Sequence, residues 1–326
     1  MTKTSKIYIA GHRGMVGSAI WRALESEGYT NLIGKTSKEL DLRNQKAVND
    51  FISTEKPDVI IDAAAKVGGI LANSQYQFEF LLENMQIQNN LIDAAHKQDV
   101  SKFIFLGSSC IYPKLAPQPL KEDYLLTGPL EPTNDGYAIA KISGVRLCKA
   151  IRDQYGKDFV SLMPTNLYGP YDNFDLKSSH VLPAMIRKFH EAKNVNGQEL
   201  SKVNSQQSTV TLWGSGTPMR EFLHVNDLAK AVIYAVENKL PEHLYNVGTG
   251  TDVTIKTLAE TIQKIVGHQG EIVWDTNKPD GTPRKLMDVS KMNHLGWTAA
   301  ISLEEGIKDT YAWFLKHEDS FKEVKM

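Results

Sequence analysis

Short apolar runs alternate with longer amphipathic stretches along the first half of the chain. "KIYIAG", "NLIG", "DVIIDAA" and "KFIFLGS" are typical of strands, and helices are predicted between them at Met15–Glu27, Gln45–Thr54 and Gln77–Gln98. The strands are apolar at nearly every position, which is typical of a parallel sheet covered on both faces. A helix that opens near Tyr137 and the strand "DFVSLMP" continue the pattern to about Pro164. The pattern predicts an α/β fold with a Rossmann-type doubly wound parallel sheet.

The pattern changes after "NLYGPYDNF". Residues 171–220 are polar and are predicted to be rich in loops, with "NVNGQELSKVNSQQS" as an exposed excursion, and alternation returns at "REFLHVNDLAKAVIYAVEN" and "HLYNVGTG". "GTDVTIKTLAETIQKIVG" predicts a helix with Thr254 as its N-cap. We therefore expect a nucleotide-binding domain at 1–170 plus about 221–248. A smaller C-terminal α/β substrate domain is expected at about 171–220 plus 249–326.

Composition and charge argue against several classes of protein. In 326 residues, 37 Lys and Arg balance 38 Asp and Glu, and no basic run alternates with aromatics, so no nucleic acid partner is expected. No apolar segment approaches the length of a membrane span, and the N-terminus runs into a strand rather than a signal peptide. A cytoplasmic protein without a membrane partner is therefore predicted. Cys110 and Cys148, the two cysteines, lack CxxC spacing and clustered histidines, so neither a metal site nor a disulfide is expected.

A glycine-rich loop follows the first predicted strand. In "IYIAGHRGMVGSAI", Gly11, Gly14 and Gly17 would allow a tight turn, close approach to a pyrophosphate and close packing of helix on strand. The N-terminus of the following helix would supply free N–H groups and a positive dipole end. Such a loop after the first strand of an alternating α/β pattern predicts a dinucleotide site.

The residues after the second strand distinguish the two nicotinamide dinucleotides. An NAD site uses an acid at that strand end, where "NLIGKTSKELD" instead offers Lys35, Ser37 and Lys38. Arg13 lies within the glycine loop. Either lysine alone is typical of a solvated surface charge, but together with the missing acid these groups favour a 2′-phosphate and hence NADP(H).

Candidate catalytic groups follow the fourth strand. "GYAIAKISG" places Tyr137 and Lys141 on one face of a helix, and the ammonium is expected to lower the pKa of the phenol. That phenol could protonate a carbonyl oxygen as hydride reaches the carbon, and Ser108 in "LGSSCIYP" could hold the same oxygen. Cys110 is, on the residues alone, more often a small buried hydrophobe than a catalytic group. His180, before "VLPAMI", could equally cap a helix.

The ordered motifs resemble the extended short-chain dehydrogenase/reductase family over essentially the whole chain. They are "GHRGMVGSAI", "AAAKVGGI", "LGSSCIYP", "EPTNDGYAIAK", "MPTNLYGP", "SHVLPA", "WGSGTPMREFLHV" and "KPDGTPRK". The resemblance implies an NADPH-dependent enzyme that epimerises carbons 3 and 5 of GDP-4-keto-6-deoxy-D-mannose and reduces the ketone at carbon 4. A sugar-nucleotide 4-epimerase that retains NAD, a 4-ketoreductase on a related GDP-deoxy-sugar and a non-catalytic nucleotide sensor are the alternatives.

The resemblance also implies roles for individual residues. Ser108, Tyr137 and Lys141 would form the reductase triad, and Cys110 and His180 the acid/base pair of epimerisation. Residues implied at the cofactor are Gly11, His12, Arg13, Gly14, Met15, Val16, Gly17, Lys35, Ser37, Asp41, Leu42, Leu106, Gly107, Ser108, Ser109, Lys141, Pro164, Thr165, Asn166, Leu167 and His180. Those implied at the GDP-sugar are Lys188, Trp213, Arg220 and Asp280.

Two of these positions depart from the family pattern. Ser37 and Lys188 stand where related enzymes often carry arginine. The 2′-phosphate is therefore expected to depend more on Arg13 and Lys35, and Lys188 keeps the charge without bidentate geometry.

The predicted helix around 81–98 is apolar on two sides. One stripe contains Leu81, Met85, Ile92 and Ala95, and the other contains Ile87, Leu91 and Ala94. A helix that is apolar on both sides is covered on both. One cover would be the sheet and the other a second subunit, so we expect a homodimer through the helices near 81–98 and 137–155, as the resemblance also implies.

Overall fold

A parallel sheet organises the chain in the computed structural model, which describes residues 1–176, 178–195, 208–278 and 280–318. The strands are β1 Ile7–Ala10, β2 Leu32–Ile33, β3 Val59–Asp62, β4 Lys102–Leu106, β5 Asp158–Pro164, β6 Asn166–Tyr168, β7 Val210–Trp213, β8 Met219–Arg220, β9 Phe222–His224, β10 Leu244–Val247, β11 Val253–Thr254, β12 Ile272–Asp275 and β13 Arg284–Lys285. The helices are α1 Met15–Ser26, α2 Gln45–Glu55, α3 Ile70–Gln75, α4 Gln77–Lys97, α5 Asp135–Tyr155, α6 Val181–Val195, α7 Val225–Glu237, α8 Ile255–Val266, α9 Ser290–His294 and α10 Leu303–Lys316.

The main sheet has the strand order β10-β5-β4-β3-β1-β2, and all of its pairings are parallel. Helices α1 and α7 pack on one face, and α2, α4 and α5 pack on the other. Every residue of β1, β3 and β4 is buried, which explains their uninterrupted apolar runs. The predicted Rossmann-type doubly wound sheet is confirmed.

The strand order reverses between β1 and β3, because the chain leaves β1 toward β2 and then crosses back to β3. In open parallel sheets, ligands bind outside the carboxyl ends of the strands at such a reversal. The glycine loop follows β1 directly, and the end of β4 lies one strand beyond β3. The predicted cofactor and catalytic segments therefore meet at one edge.

A second apolar core lies in the later part of the chain. It joins α6, α8 and α10 with β7, and it includes Phe189, Leu212, Ile262 and Phe314. Thr254 caps α8 by accepting a hydrogen bond from the Thr257 N–H, as predicted. This core is consistent with a separate substrate domain, although Met292 and Trp297 pack into the first core. The domain boundaries stay a prediction.

The prediction that 171–220 is loop-rich was wrong over α6. Its apolar residues Leu182, Met185, Ile186 and Phe189 recur at helical spacing and are buried, while Arg187, Lys188, Glu191 and Lys193 lie on the more exposed side. The polarity of the exposed face concealed that spacing. Most of the predicted excursion, 196–207, lies outside the described residues.

The described parts of the chain lack both a membrane-spanning helix and a metal-binding group of side chains. No helix there is long and apolar enough to cross a bilayer. No group of His, Cys, Asp and Glu side chains there is arranged to hold a metal ion.

Candidate active site

The glycine loop brings backbone N–H groups to the carboxyl edge of the sheet. Gly11 has φ +77°, and a Cβ there would lie 2.7 Å from the carbonyl oxygen of Ala63. Gly14 donates to the Gly11 carbonyl at 2.9 Å and is the N-cap of α1, with no capping side chain among the described residues. A Cβ on Gly17 would lie 2.2 Å from the same carbonyl oxygen. The first N–H groups of α1 therefore fit a pyrophosphate.

Glu39 is an acid near Arg13 and Lys35 that was not among the predicted site residues. The Glu39 carboxylate accepts hydrogen bonds from the Thr36 N–H and hydroxyl at 2.8 and 2.6 Å. These bonds, and then the charges of Lys35 and Arg13, hold the pKa of Glu39 below its usual range. The Thr-x-x-Glu spacing of Thr36 and Glu39 was the sequence signal for these hydrogen bonds. The Glu39 carboxylate is hydrogen-bonded to Thr36 and not to Arg13 or Lys35. The exposed side chains of Arg13 and Lys35 therefore still suit a 2′-phosphate.

The remaining predicted cofactor residues flank the same edge. They are His12, Met15 and Val16 around the start of α1, exposed Ser37 after β2, Asp41 and Leu42 before α2, and Pro164, Thr165, Asn166 and Leu167 between β5 and β6. Asp41 pairs with Arg43 at 3.0 Å, and the Leu42 carbonyl accepts from the Asn90 side chain at 2.8 Å. The Asn166 side chain donates to the Glu221 carbonyl at 2.7 Å.

Lys141 enters the end of β4 from α5. It is buried, its ammonium donates to the Leu106 carbonyl at 2.9 Å, and it lies 4.7 Å from the centre of the Phe105 ring. The distance from the ammonium to the centre of the Tyr137 ring is 6.0 Å. The side chains predicted to share a helix face are thus brought together, with the ammonium hydrogen-bonded to the sheet.

The expectation of a lowered pKa for Tyr137 was wrong in this structure. Burial raises the pKa of the phenol, and the nearby Cys110 and Asp62 act in the same direction. The Lys141 ammonium donates to the Leu106 carbonyl and not to the phenol, and the effect of burial outweighs that of its charge. The phenol therefore stays protonated at neutral pH, which is the form that can donate a proton.

Ser108 and Cys110 begin where β4 ends. Gly107 leaves room for the Met163 side chain to pack against the end of β4, since a Cβ would lie 2.1 Å from the Met163 methyl group. The Ser108 hydroxyl accepts from the Cys110 N–H at 3.4 Å and caps a 3-10 turn at Ser109–Ile111. Burial raises the pKa of the Cys110 thiol, whereas Lys285, the Ser108 hydroxyl and Lys141 oppose that rise.

His180 ends the loop before α6 and stays open to solvent. This loop rests on the segment after β3, where the Gly69 N–H donates to the Ser178 carbonyl at 3.2 Å. Crowding by protein atoms, and then the charge of Lys285, lower the pKa of His180. Lys285 thus acts on both Cys110 and His180. Lys285 belongs to the motif "KPDGTPRK" but was not among the predicted site residues.

The residues predicted at the GDP-sugar lie in the second core and its loops. Lys188 on α6 donates to the Thr211 carbonyl at 3.0 Å, which ties it to β7. Trp213 ends β7 and is exposed, with the Lys278 ammonium 5.4 Å from its ring centre. Asp280 accepts from the Ser215 N–H at 2.7 Å, and its charge acts on Arg220.

A model of the NAD dependent epimerase/dehydratase family matches residues 7–248. The chain belongs to this family. The resemblance predicted from the motifs is therefore confirmed, and the glycine loop, Tyr137 and Lys141 all lie within the part of the chain that the family model covers.

Individual members of the family are similar over nearly the whole chain. The GDP-L-fucose synthase of Escherichia coli K12 is 54% identical over 97% of this chain and 98% of its own length. The putative GDP-L-fucose synthase 2 of Arabidopsis thaliana is 55% identical over 97% and 94%, respectively.

Solved structures of the family agree with the fold. A GDP-6-OMe-4-keto-L-xylo-heptose reductase from C. jejuni superposes with a TM-score of 0.91 at 40% identity, covering 97% of this chain and 99% of that one. A GDP-L-fucose synthetase from Naegleria fowleri bound to NADP gives 0.88 at 29% identity, covering 98% and 95%.

Proposed function

We propose that this chain is a GDP-L-fucose synthase. It converts GDP-4-keto-6-deoxy-D-mannose to GDP-L-fucose by epimerisation at carbons 3 and 5, followed by NADPH-dependent reduction of the ketone at carbon 4. The observation that carries the proposal concerns two pairs of side chains. The charge of Lys285 acts on both members of the first pair, Cys110 and His180, and Cys110 in turn acts on Tyr137 of the Tyr137–Lys141 pair. A plain reductase needs the second pair but not the first.

NADP(H) is the proposed cofactor, and when bound it supplies the hydride for carbon 4. The N–H groups of the glycine loop would hold its pyrophosphate, Arg13 and Lys35 its 2′-phosphate, and Lys141 the nicotinamide ribose. The other cofactor contacts predicted from the sequence form part of the same proposal. The NADP-bound relative supports it.

One oxygen-binding site serves both reactions in this proposal. Ser108 and Tyr137 hold the ketone oxygen, where negative charge gathers when a proton leaves a neighbouring carbon. Cys110 and His180 remove that proton and return one to the other face. In the reduction, carbon 4 gains a hydride and its oxygen gains the phenolic proton of Tyr137. The resulting phenolate lies near the Lys141 ammonium.

The GDP-sugar is proposed to bind at the surface next to the second core. The exposed Trp213 ring offers a face for the base, and Arg220 and Lys188 offer cations for the diphosphate. Burial lowers the pKa of both cations. A diphosphate bound between them would compensate for that burial.

The proposed dimer uses α4 and α5, where Leu81, Met85 and Ile87 of the predicted stripes stay partly exposed. Leu91, Ile92, Ala94 and Ala95 of the two predicted stripes are buried within the chain. Exposed apolar side chains on these two helices include Phe78, Leu82 and Ile139, and Phe78 is 69% exposed. These three are proposed to cover one another across a twofold axis. A cytoplasmic location stays a prediction.

The dimer is tested by light scattering. Phe78→Glu combined with Leu82→Glu is expected to halve the mass at micromolar protein. Leu115→Glu places the same charge on an exposed leucine elsewhere and serves as the control. A monomeric wild-type chain would refute the interface.

The function is tested by incubating purified protein with NADPH and GDP-4-keto-6-deoxy-D-mannose and identifying the product by NMR. GDP-L-fucose is expected, with deuterium from heavy water at carbons 3 and 5. A carbon-4 alcohol with unchanged configuration at those carbons would instead favour a 4-ketoreductase, the alternative raised by the C. jejuni reductase. Product without net NADPH consumption would favour a 4-epimerase.

A further inference from the structure

Asp62 is a buried carboxyl group that the proposed function does not use. It is the last residue of β3 and is 0% exposed. Its Oδ1 accepts a hydrogen bond from the Ala64 N–H at 3.2 Å, whereas Oδ2 is buried without a hydrogen-bond partner among the described residues. Burying a carboxylate is costly unless a charge or donors compensate it. Its position therefore calls for an explanation.

The strand register places Asp62 beside Phe105, and the Lys141 ammonium lies over the Phe105 ring. Asp62 pairs with Phe105 on β4, and both side chains point to the face that α4 and α5 cover. The Lys141 ammonium lies 4.7 Å from the centre of the Phe105 ring and donates to the Leu106 carbonyl at 2.9 Å. Adjacent strands are about 4.8 Å apart. The carboxylate and the ammonium therefore share the sheet–helix interface, where the charge of each acts on the other.

Lys141 is the cation that acts on Asp62, and the other titratable side chains that face Asp62 are neutral phenol and thiol groups. Tyr137 and Cys148 face it from α5, and Tyr8 faces it from β1. All three have pKa values raised by burial and, less strongly, by the charge of Asp62. Lys141 and Asp62 each favour the charged form of the other against burial.

We propose that Asp62 is a positioning residue for the reduction, whose carboxylate keeps Lys141 charged and fixed against the Leu106 carbonyl beside Tyr137. This inference rests on the proposed function, because it takes Lys141 as part of the reductase set. An ammonium held there stabilises the phenolate that remains after Tyr137 gives its proton to the carbon-4 oxygen.

The proposal has a defined pH dependence. Burial raises the pKa of Asp62 to about 6, against the opposing effect of Lys141. The carboxylate is therefore mostly ionised at neutral pH and is lost as the pH falls through about 6. Hydride transfer should slow over the same range, because Lys141 loses its counter-charge there.

The first experiment observes the pair in the protein without cofactor or substrate. Aspartate labelled with 13C at the side-chain carboxyl is incorporated, and Asp62→Asn identifies the Asp62 resonance. Lys141→Met should raise the titration midpoint of that resonance by roughly 1 to 3 on the pH scale. Ser161→Ala alters another buried polar group in the same cross-sheet row and should leave the midpoint unchanged. An unchanged midpoint in Lys141→Met would overturn the proposal.

The second experiment measures hydride transfer in single turnovers with NADPH deuterated at the transferred position. Wild type should lose rate as the pH falls below about 6. The isosteric Asp62→Asn should be at least tenfold slower at pH 8 and should lack that acid limb, whereas Ser161→Ala should retain it. Asp62→Asn with a wild-type rate and acid limb would refute the positioning role. A wild type without turnover would refute the proposed function alone, since the NMR titration judges the Asp62–Lys141 pair without substrate.

Discussion

Replacing Gly17 with alanine is expected to damage both the stability of the chain and its affinity for NADPH. A Cβ at Gly17 would lie 2.2 Å from the Gly11 carbonyl oxygen and 2.8 Å from the His12 Cα. Both neighbours are backbone atoms of the glycine loop, so no side chain can rotate away to make room. Relief of the overlap requires α1 and the loop to separate.

The size of the effect follows from that geometry. Forcing a methyl group into a closely packed site usually costs about 1 to 3 kcal/mol. We expect Gly17→Ala to lower the free energy of unfolding of the ligand-free chain by that amount. The same separation moves the N–H groups proposed to hold the pyrophosphate, so the Kd for NADPH should rise about tenfold or more, which corresponds to about 1.4 kcal/mol.

Gly14→Ala in the same loop is the matched control. A Cβ on Gly14 meets only the Gly11 carbonyl oxygen, at an ordinary 3.4 Å, and its φ of −74° suits any residue. Denaturant unfolding gives the stability of both variants, and NADPH fluorescence titration gives the Kd. Gly17→Ala with wild-type stability and Kd would refute the proposed contact, as would an equal loss of stability in Gly14→Ala.

Three further predictions concern the acid and base groups. Tyr137→Phe should abolish most NADPH consumption while calorimetry still detects GDP-sugar binding; unchanged turnover would remove Tyr137 from the reduction. Cys110→Ser should block deuterium uptake from heavy water at the sugar carbons, yet allow some direct ketone reduction, and normal uptake would return Cys110 to a packing role. Lys285→Met should raise the pKa of both Cys110 and His180, because Lys285 now lowers both. In a Cys148→Ala background, alkylation of Cys110 should therefore need a higher pH after this substitution, and an unchanged midpoint would contradict it.

Most of the fold could be predicted because its strands lie in the middle of a covered sheet. Such strands carry apolar residues at nearly every position, so their ends lie at or next to the first polar or glycine residue. α6 could not be predicted in this way, since it buries Leu182, Met185, Ile186 and Phe189 and exposes polar residues around them. What buries them is α8 and β7, which come later in the chain. The helical spacing of the four buried residues was a usable local signal, but it was outweighed in the prediction by the polar residues that surround it.

Local spacing could also place Tyr137 and Lys141 on one helix face, but it could not give their electrostatics. The pKa of the phenol depends on burial and on Asp62, which lies in a different strand. Lys285 likewise reaches the thiol and the imidazole from β13. Asp62 and Lys285 both lie outside the helix that carries the motif. The sign of the pKa change therefore required the folded chain.

The two cations divide the proposed chemistry between the two cores. Lys141 stands on α5, is held by the main sheet and lies beside the phenol that completes reduction. Lys285 stands on β13, whose partner β8 carries Arg220 in register, and it acts on the thiol and the imidazole that move protons at carbon. The reductase set is thus built on the parallel sheet, whereas the cation that acts on the epimerase pair comes from β13, in a different sheet.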